Sequence, residues 1–162
     1  MVQSFWRWLG RLLVTDCHTV AAINGHAFGA GLFMALACDW RIMRTERGFV
    51  NFPELNLGLR LSKAFAELTK AKLAPSALRA GVLTGKRYSS TEALAEGIID
   101  SECPVEELTA KAVAMAHSVL PTELGLGMFN AANFQAMKIE LYTDAYLALT
   151  KGVNSSPPDA RL

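Results

Sequence analysis

Apolar residues along the chain recur first at the spacing of strands and later at the spacing of helices. Short runs rich in β-forming residues occupy 18–24, 39–44 and 49–52, and 98–101 is a further short extended segment. Helical periodicity marks residues 4–14, 30–38, 62–72, 75–83, 91–97, 106–120 and 129–150. Early strands that alternate with helices, followed by helices alone, predict an α/β fold with a small sheet and a helical C-terminal region.

Local start signals support several of these helices. Ser62 and Ser90 are suitable N-caps, and Glu92 then lies in the first turn of its helix. Pro75 suits a first helical turn, because its missing N–H would have no partner there in any case. The run Ser-Ser-Pro-Pro at residues 155–158 predicts the start of a loose tail.

The first helix is amphipathic and contains arginine but no acidic residue. Its apolar positions 2, 5, 9 and 13 share one face, and Arg7 and Arg11 lie elsewhere. This pattern has two interpretations: a transit peptide, or an ordinary helix that docks on the core.

Composition limits the class of protein. The chain has 162 residues, 51% of them hydrophobic, and a formal net charge of +1, which fits one folded domain and gives no support for nucleic-acid binding. No apolar run approaches the roughly 20 residues of a membrane-spanning helix. Three scattered cysteines predict reduced thiols in an intracellular compartment, and the three histidines lack metal-ligand spacing, so we expect no metal.

A glycine-spaced turn links the first strand to the following helix. Gly25, Gly29 and Gly31 permit positive φ and close backbone approach, and the amide of Ala30 at the mouth of the helix could donate to a developing oxyanion. The alternative is that these glycines only let strand and helix pack closely. A dinucleotide-binding fingerprint fails, because Met34 stands where its third glycine belongs.

Glu54 is the candidate acid. Its neighbours Phe52, Pro53 and Leu55 are apolar, so the carboxyl would lose hydration and become a more effective proton shuttle near neutral pH. The alternative is a surface glutamate at the end of a strand.

These motifs resemble the enoyl-CoA hydratase/isomerase (crotonase) superfamily. The resemblance lies in residues 21–31, 37–39 and 52–55 and continues through 84–86 and 93–100, so that it covers most of the chain. It implies part of the spiral ββα core of the ClpP/crotonase fold in residues 1–120, a helical oligomerisation region in 121–152 and a flexible tail in 153–162.

The resemblance also implies a site and a reaction. Glu54 would be the catalytic acid and base, the Ala30 amide would lie in the oxyanion hole, and Gly29, Ala30, Phe33 and Leu57 would bind the substrate. Hydratases of this family carry a second glutamate at the position of Phe33. A lone carboxylate instead fits Δ3,Δ2-enoyl-CoA isomerases, in which a proton moves from C2 to C4 of an acyl thioester in fatty acid β-oxidation. Coenzyme A enters only as part of the substrate, and no cofactor is implied.

Several alternatives stay open on the same residues. A hydratase or another acyl-CoA enzyme of the family is the second candidate, and core packing is the alternative role for Phe33 and Leu57. Family members carry further residues before the segment that matches Met1, including early strands and a second oxyanion donor. A non-catalytic subunit that binds acyl-CoA or partner subunits is therefore the candidate from another class, and the strand at 20–24 would have an open edge that favours association.

Assembly and location follow from the C-terminal part. The resemblance implies a homo-trimer or hexamer, or association with full-length relatives, and aromatic residues at near-helical intervals predict packing or subunit contacts there: Phe129, Phe134, Tyr142 and Tyr146. The final Ala160-Arg161-Leu162 resembles the Ser-Lys-Leu peroxisomal address. The alternative for the tail is a frayed terminus with no address, and the alternative location of the protein is the mitochondrion or cytosol.

Overall fold

The computed structural model describes residues 2–118 and 129–152, in which fourteen helices and strands alternate as an α/β fold. The helices are α1 (Val2–Leu13), α2 (Ala30–Ala37), α3 (Lys63–Lys72), α4 (Pro75–Thr84), α5 (Ser90–Ala95), α6 (Leu108–Ser118), α7 (Ala131–Leu141) and α8 (Thr143–Leu147). The strands are β1 (Val20–Ile23), β2 (Ala27–Phe28), β3 (Trp40–Arg44), β4 (Val50–Asn51), β5 (Arg87–Tyr88) and β6 (Ser101–Cys103). Leu55–Leu57 and Val105–Glu107 form 3-10 turns, and Ala148–Gly152 forms a π-helical turn.

The strands form two small sheets. The first has the order β1-β3-β6 and is parallel throughout, with Val20 opposite Trp40 and Ile42 opposite Ser101. The second has the order β2-β4-β5, with β2 parallel to β4 and β4 antiparallel to β5. Within the described ranges β1 is an edge strand, as expected for the segment at 20–24.

Helix α2 is the centre of the core. It is apolar on every side, which is the pattern of a helix enclosed by other elements, and Leu32, Phe33 and Leu36 have no exposed surface. Helix α1 packs on the same core through Leu9 and Leu13, so its apolar face docks on the fold. The C-terminal helices contribute buried residues to this core as well: Ala145, Ala148 and Leu149.

Most predicted helices and strands are confirmed within a few residues, and some capping signals as well. Ser62 caps α3 by accepting from the Phe65 N–H, and Pro75 begins α4. The predicted cap at Ser90 is wrong, because Ser89 caps α5 in a reciprocal pair with Glu92, and Ser90 is already helical.

Three other predictions need correction. The extended segment at 98–101 is displaced, since Ile98 closes a turn onto the carbonyl of Ala93 and β6 starts at Ser101. The single helix at 129–150 is divided at Tyr142 into α7, α8 and the π-helical turn. The two-residue strands β2 and β5 were not predicted at all.

Two loops touch backbone to backbone beside the sheets. Gly48 has φ of +103°, and a Cβ there would collide with the carbonyl of Gly25. The Ala27 N–H donates to the Phe49 carbonyl at 2.9 Å in the same region. The loop after β1 and the loop after β3 are therefore in direct contact.

None of the helices in 2–118 and 129–152 is long and apolar enough to cross a membrane. Residues 119–128 and the tail at 153–162, with Ala160-Arg161-Leu162, lie outside the described residues.

Candidate active site

The glycine turn brings the N-terminus of α2 next to β4. Gly29 precedes α2 with φ of +48°, its N–H donates to the Asn51 carbonyl at 3.1 Å, and its carbonyl accepts from the Phe33 N–H at 2.9 Å. Of the three glycines predicted to permit positive φ, only Gly29 has it; Gly25 and Gly31 do not. Gly25 instead provides the close backbone approach to Gly48.

Ala30 is the first residue of α2 and is exposed. Its backbone N–H belongs to the first turn and has no acceptor inside its own helix. The aligned peptide dipoles add partial positive charge at this end of a helix. The Ala30 N–H is therefore suited to donate a hydrogen bond to an anionic oxygen.

Glu54 lies directly against this turn. A Cβ at Gly29 would lie 3.5 Å from Cγ of Pro53 and 3.9 Å from Oε1 of Glu54. The other carboxylate oxygen, Oε2, is buried and accepts no hydrogen bond from the residues that the structure describes. Glu54 is half-buried, and its unpartnered oxygen can accept a hydrogen bond from a ligand.

The segment around Glu54 is held by two asparagines that the sequence patterns did not single out. Asn51 Nδ2 donates to the carbonyls of Gly85 and Lys86 at 2.7 and 2.9 Å, and Asn56 Nδ2 donates to Gly85 at 3.2 Å. In the sequence these asparagines are distinguished only by their spacing, three residues before and two residues after Glu54. That spacing does not predict a hydrogen-bond acceptor until the position of Gly85 is known.

The two predicted acyl-binding residues differ in environment. Phe33 has no exposed surface and stacks on Phe65, and its ring centre is 5.7 Å from that of Phe52, which favours its packing role. Leu57 is 63% exposed on the turn that follows Glu54. Leu55 and Leu59 are 54% and 60% exposed beside it, so an apolar surface adjoins the carboxylate.

A second polar cluster lies at the opposite end of α2. Asp39 pairs with Lys138 at 2.8 Å, and both side chains are largely buried. Asp39 also accepts from the N–H and hydroxyl of Thr19 at 2.8 and 2.9 Å. Burial lowers the pKa of the neighbouring Lys72 to about 8, and its Nζ lies 4.2 Å over the ring of Tyr142.

The histidine and cysteine side chains described next have contacts or burial that fit a structural role. His26 Nδ1 accepts from the Phe49 N–H at 3.2 Å, as expected for a satisfied turn residue. Burial raises the pKa of the Cys103 thiol, which disfavours the nucleophilic thiolate. The three cysteines are free, and no cluster of three potential metal ligands occurs in residues 2–118 and 129–152.

An apolar groove of about 430 Å³ follows the open edge of β1. Its walls include Ala22 and Ile23 of β1, Trp8 and Leu12 of α1, and Met34 of α2. The groove therefore lies between α1 and α2, on a different face of α2 from Phe33.

Comparisons with known proteins agree with this architecture. A family model described as "Enoyl-CoA hydratase/isomerase" matches residues 2–154. The chain is 34% identical over 145 residues to the peroxisomal enoyl-CoA delta isomerase 2 of Arabidopsis thaliana, a match that covers 89% of the chain and 59% of that relative. Enoyl-CoA delta isomerase 3 of the same plant matches with 34% identity over 145 residues, covering 89% of the chain and 60% of that relative.

Solved structures share the fold. One protein from Mycobacterium tuberculosis is named an enoyl-CoA isomerase in one structure and a probable enoyl-CoA hydratase in another. The first superimposes with a TM-score of 0.80 at 26% identity, over 94% of this chain and 64% of that one, and the second with 0.79 at 25% identity, over 94% and 61%. Human mitochondrial delta3-delta2-enoyl-CoA isomerase gives a TM-score of 0.77 at 24% identity, over 92% and 55%, and at that identity the likeness concerns the fold alone. The chain spans about 60% of the length of the two Arabidopsis relatives, which are covered to 59% and 60%.

Proposed function

This chain belongs to the enoyl-CoA hydratase/isomerase family, and we propose that it isomerises 3-enoyl-CoA to 2-enoyl-CoA with Glu54 as its acid and base. The observation that carries the proposal is the half-buried Glu54 carboxylate, which lies beside Gly29 and has an unsatisfied oxygen. Two Arabidopsis relatives that are named enoyl-CoA delta isomerases support the choice of reaction.

The proposed mechanism moves one proton. Glu54 takes a proton from C2 of the acyl thioester, and the electron pair delocalises onto the thioester oxygen and C4 as a dienolate. The Ala30 N–H donates to that oxygen, and the loss of one such donor costs about 3 kcal/mol of transition-state stabilisation. Glu54 then returns the proton at C4, and the double bond lies between C2 and C3. The proton is conserved, so the reaction needs no cofactor.

The remaining site residues divide between the two parts of the substrate. In this proposal Gly29 and Ala30 contact the thioester, and the exposed Leu57 contacts the acyl chain. Phe33 occupies the position of the second carboxylate of hydratases, and a phenyl ring can neither activate water nor deliver a proton. A single-carboxylate reaction is the consequence of that replacement.

The test is conversion of 3-enoyl-CoA by wild type, Glu54→Gln and a control, Glu106→Gln, which changes an exposed carboxylate. Loss of general acid–base catalysis lowers the rate by roughly 100-fold or more, so we expect at least that loss for Glu54→Gln and none for the control. Equal rates for all three proteins would remove Glu54 from the mechanism. Efficient water addition to 2-enoyl-CoA would favour the hydratase, and one protein of the same fold, from Mycobacterium marinum, is named an enoyl-CoA hydratase.

A second candidate is a non-catalytic subunit that binds acyl-CoA or partner subunits. The open edge of β1 and its apolar groove favour it, because unpaired edge N–H and C=O groups invite pairing with another chain.

We propose a homo-trimer or hexamer, or association with longer relatives. Light scattering tests self-association, and co-elution with a longer relative tests association with that relative. A monomer that binds neither acyl-CoA nor a longer relative would contradict the non-catalytic subunit and both kinds of association.

We also propose a peroxisomal location. The terminal Ala160-Arg161-Leu162 resembles a peroxisomal address, and two Arabidopsis relatives are named peroxisomal. A fusion of residues 153–162 to a fluorescent reporter should form puncta that disappear when Leu162 is removed. A diffuse signal would leave the mitochondrion or cytosol as the location.

A further inference from the structure

Two asparagine side chains on opposite sides of Glu54 donate to the same carbonyl oxygen. Asn51 Nδ2 lies 2.7 Å from the Gly85 carbonyl oxygen, and Asn56 Nδ2 lies 3.2 Å from it. Asn51 Nδ2 reaches the Lys86 carbonyl as well, at 2.9 Å, so both of its hydrogens have acceptors. The segment that carries Glu54 is thus fastened at both ends to the turn between α4 and β5.

The same segment is tied to the glycine turn. The Asn51 carbonyl accepts from the Gly29 N–H, and the adjoining Phe28 and Asn51 are partners in the β2–β4 pairing. Asn51 therefore joins three pieces of chain: the residue before Ala30, the strand before Glu54, and the turn at Gly85. A shift at Gly85 would reach both halves of the candidate site.

Gly85 is fitted to this role by its backbone and by its lack of a side chain. It has φ of +62° as the cap of α4, and a Cβ there would lie 2.5 Å from Nδ2 and 2.9 Å from Oδ1 of Asn56. A larger residue would displace the Asn56 amide from the carbonyl. The close approach of the Asn56 amide to residue 85 therefore depends on the absence of a side chain there.

We propose that Asn51 and Asn56 are positioning residues that hold the Glu54 carboxylate against the N-terminus of α2 through the Gly85 carbonyl. We call the hydrogen bonds of Asn51 and Asn56 to the Gly85 carbonyl the asparagine clamp. The proposal rests on the proposed function for its catalytic consequence, but the geometry of the clamp does not. Asn51 is buried and its loss would also cost stability, whereas Asn56 is exposed. Substitution of Asn56 can therefore test a positioning role without the loss of stability that substitution of Asn51 would cause.

The catalytic arm of the test compares Asn56→Ala and Gly85→Ala with Asn133→Ala, which truncates an exposed asparagine on α7. Misplacement of a catalytic group by about 1 Å costs up to 100-fold in rate, so we expect kcat to fall roughly 10- to 100-fold in the first two variants with KM within about 2-fold. In a Glu54→Gln background Asn56→Ala should add nothing. An equal loss in both backgrounds, or unchanged kcat, would overturn the proposal.

The second arm needs no activity. The 13C signal of the Glu54 side-chain carboxyl, assigned by its absence in Glu54→Gln, should change in position in Asn56→Ala and Asn51→Ala, and stay unchanged in Asn133→Ala. A carboxyl signal identical in all variants would overturn the clamp. If the wild type has no isomerase activity but the carboxyl signal still changes in the two asparagine variants, the proposed function is refuted and the clamp is supported.

Discussion

The ring of Phe33 stacks on the ring of Phe65 with centres 3.8 Å apart and planes inclined by 6°. Phe33 belongs to α2 and Phe65 to α3, so the pair joins the central helix to its neighbour. Phe52 lies near the same ring, so position 33 is occupied by aromatic packing contacts. The position at which the family resemblance implies a second carboxylate in hydratases is part of the core in this chain.

Phe33→Glu should consequently destabilise the fold without creating a hydratase. An unpaired buried carboxylate costs several kcal/mol beyond the loss of the ring, whereas Phe33→Leu keeps an apolar side chain and should cost about 1–2 kcal/mol. Urea unfolding at pH 7 and pH 5 measures both variants. The gap between Glu and Leu should narrow at pH 5, as the glutamate protonates. Equal stability at pH 7 would contradict this account of position 33.

Gly29→Ala should be destabilising where Gly31→Ala is tolerated. Gly29 has φ of +48°, which L-residues rarely adopt, and strain of this kind costs roughly 1–3 kcal/mol. At Gly31 a Cβ would meet only the Cβ of Ala27, at an ordinary 3.8 Å, and alanine is the better helix former. Thermal unfolding of the two variants checks the difference. If both lose the same stability, backbone conformation is not the cause.

Lys72→Met should stabilise the fold near neutral pH. Burial lowers the pKa of Lys72 to about 8; Arg41 and Lys138 lower it further, and Asp39 and Cys38 oppose them. Because the unfolded lysine titrates near 10.5, the penalty is complete below pH 8 and is relieved between pH 8 and 10.5. The gain should be on the order of 3 kcal/mol at pH 7 and roughly a quarter of that at pH 10. The measurement is urea unfolding at both pH values.

Lys70→Met is the matched control for that experiment, since Lys70 lies on the same helix with its side chain 55% exposed. It should change the free energy of unfolding by less than about 0.5 kcal/mol at either pH. A gain for Lys72→Met that is the same at pH 7 and pH 10 would show that burial of the charge is not responsible.

The Asp39–Lys138 pair should be costly to break and less costly to replace. Removal of one member of a buried pair leaves an unpaired charge and costs about 3–5 kcal/mol, so Asp39→Ala and Lys138→Met should each lose that much. The double variant should lose less than the sum of the single losses, although Thr19 then loses its acceptor. Denaturant unfolding of the four proteins measures the coupling energy. Simple additivity would mean that the two charges do not interact.

The sequence predicted those parts of the fold that local signals determine. Ser62 and Pro75 act within one helical turn of themselves, and both helices begin where these residues indicate. The pairing of Ser89 with Glu92 was equally local, and was missed because the adjacent Ser90 is also a capping residue. The sequence therefore predicted these helix starts to within one residue.

The failures depend on distant partners. β2 and β5 are two residues each, and they are strands only because β4 lies between them. Helix α7 ends at Tyr142, although no glycine or proline stands there to signal a break. The contact found at that residue is a distant one, because the Tyr142 ring lies beneath Nζ of Lys72 on α3. The approach of Glu54 to Gly29 was expected from family resemblance, whereas the Asn51–Asn56 clamp required the position of a carbonyl some 30 residues away, 34 from Asn51 and 29 from Asn56.

The contact between Gly25 and Gly48 restricts how the length of this chain can vary. The two loops meet without side chains between them, so neither has slack to absorb an additional residue. An insertion in one loop would lift the other and would change the distance between Ala30 and Glu54, which lie beyond them on either side. Loop length at these two positions is therefore coupled to the geometry of the candidate site.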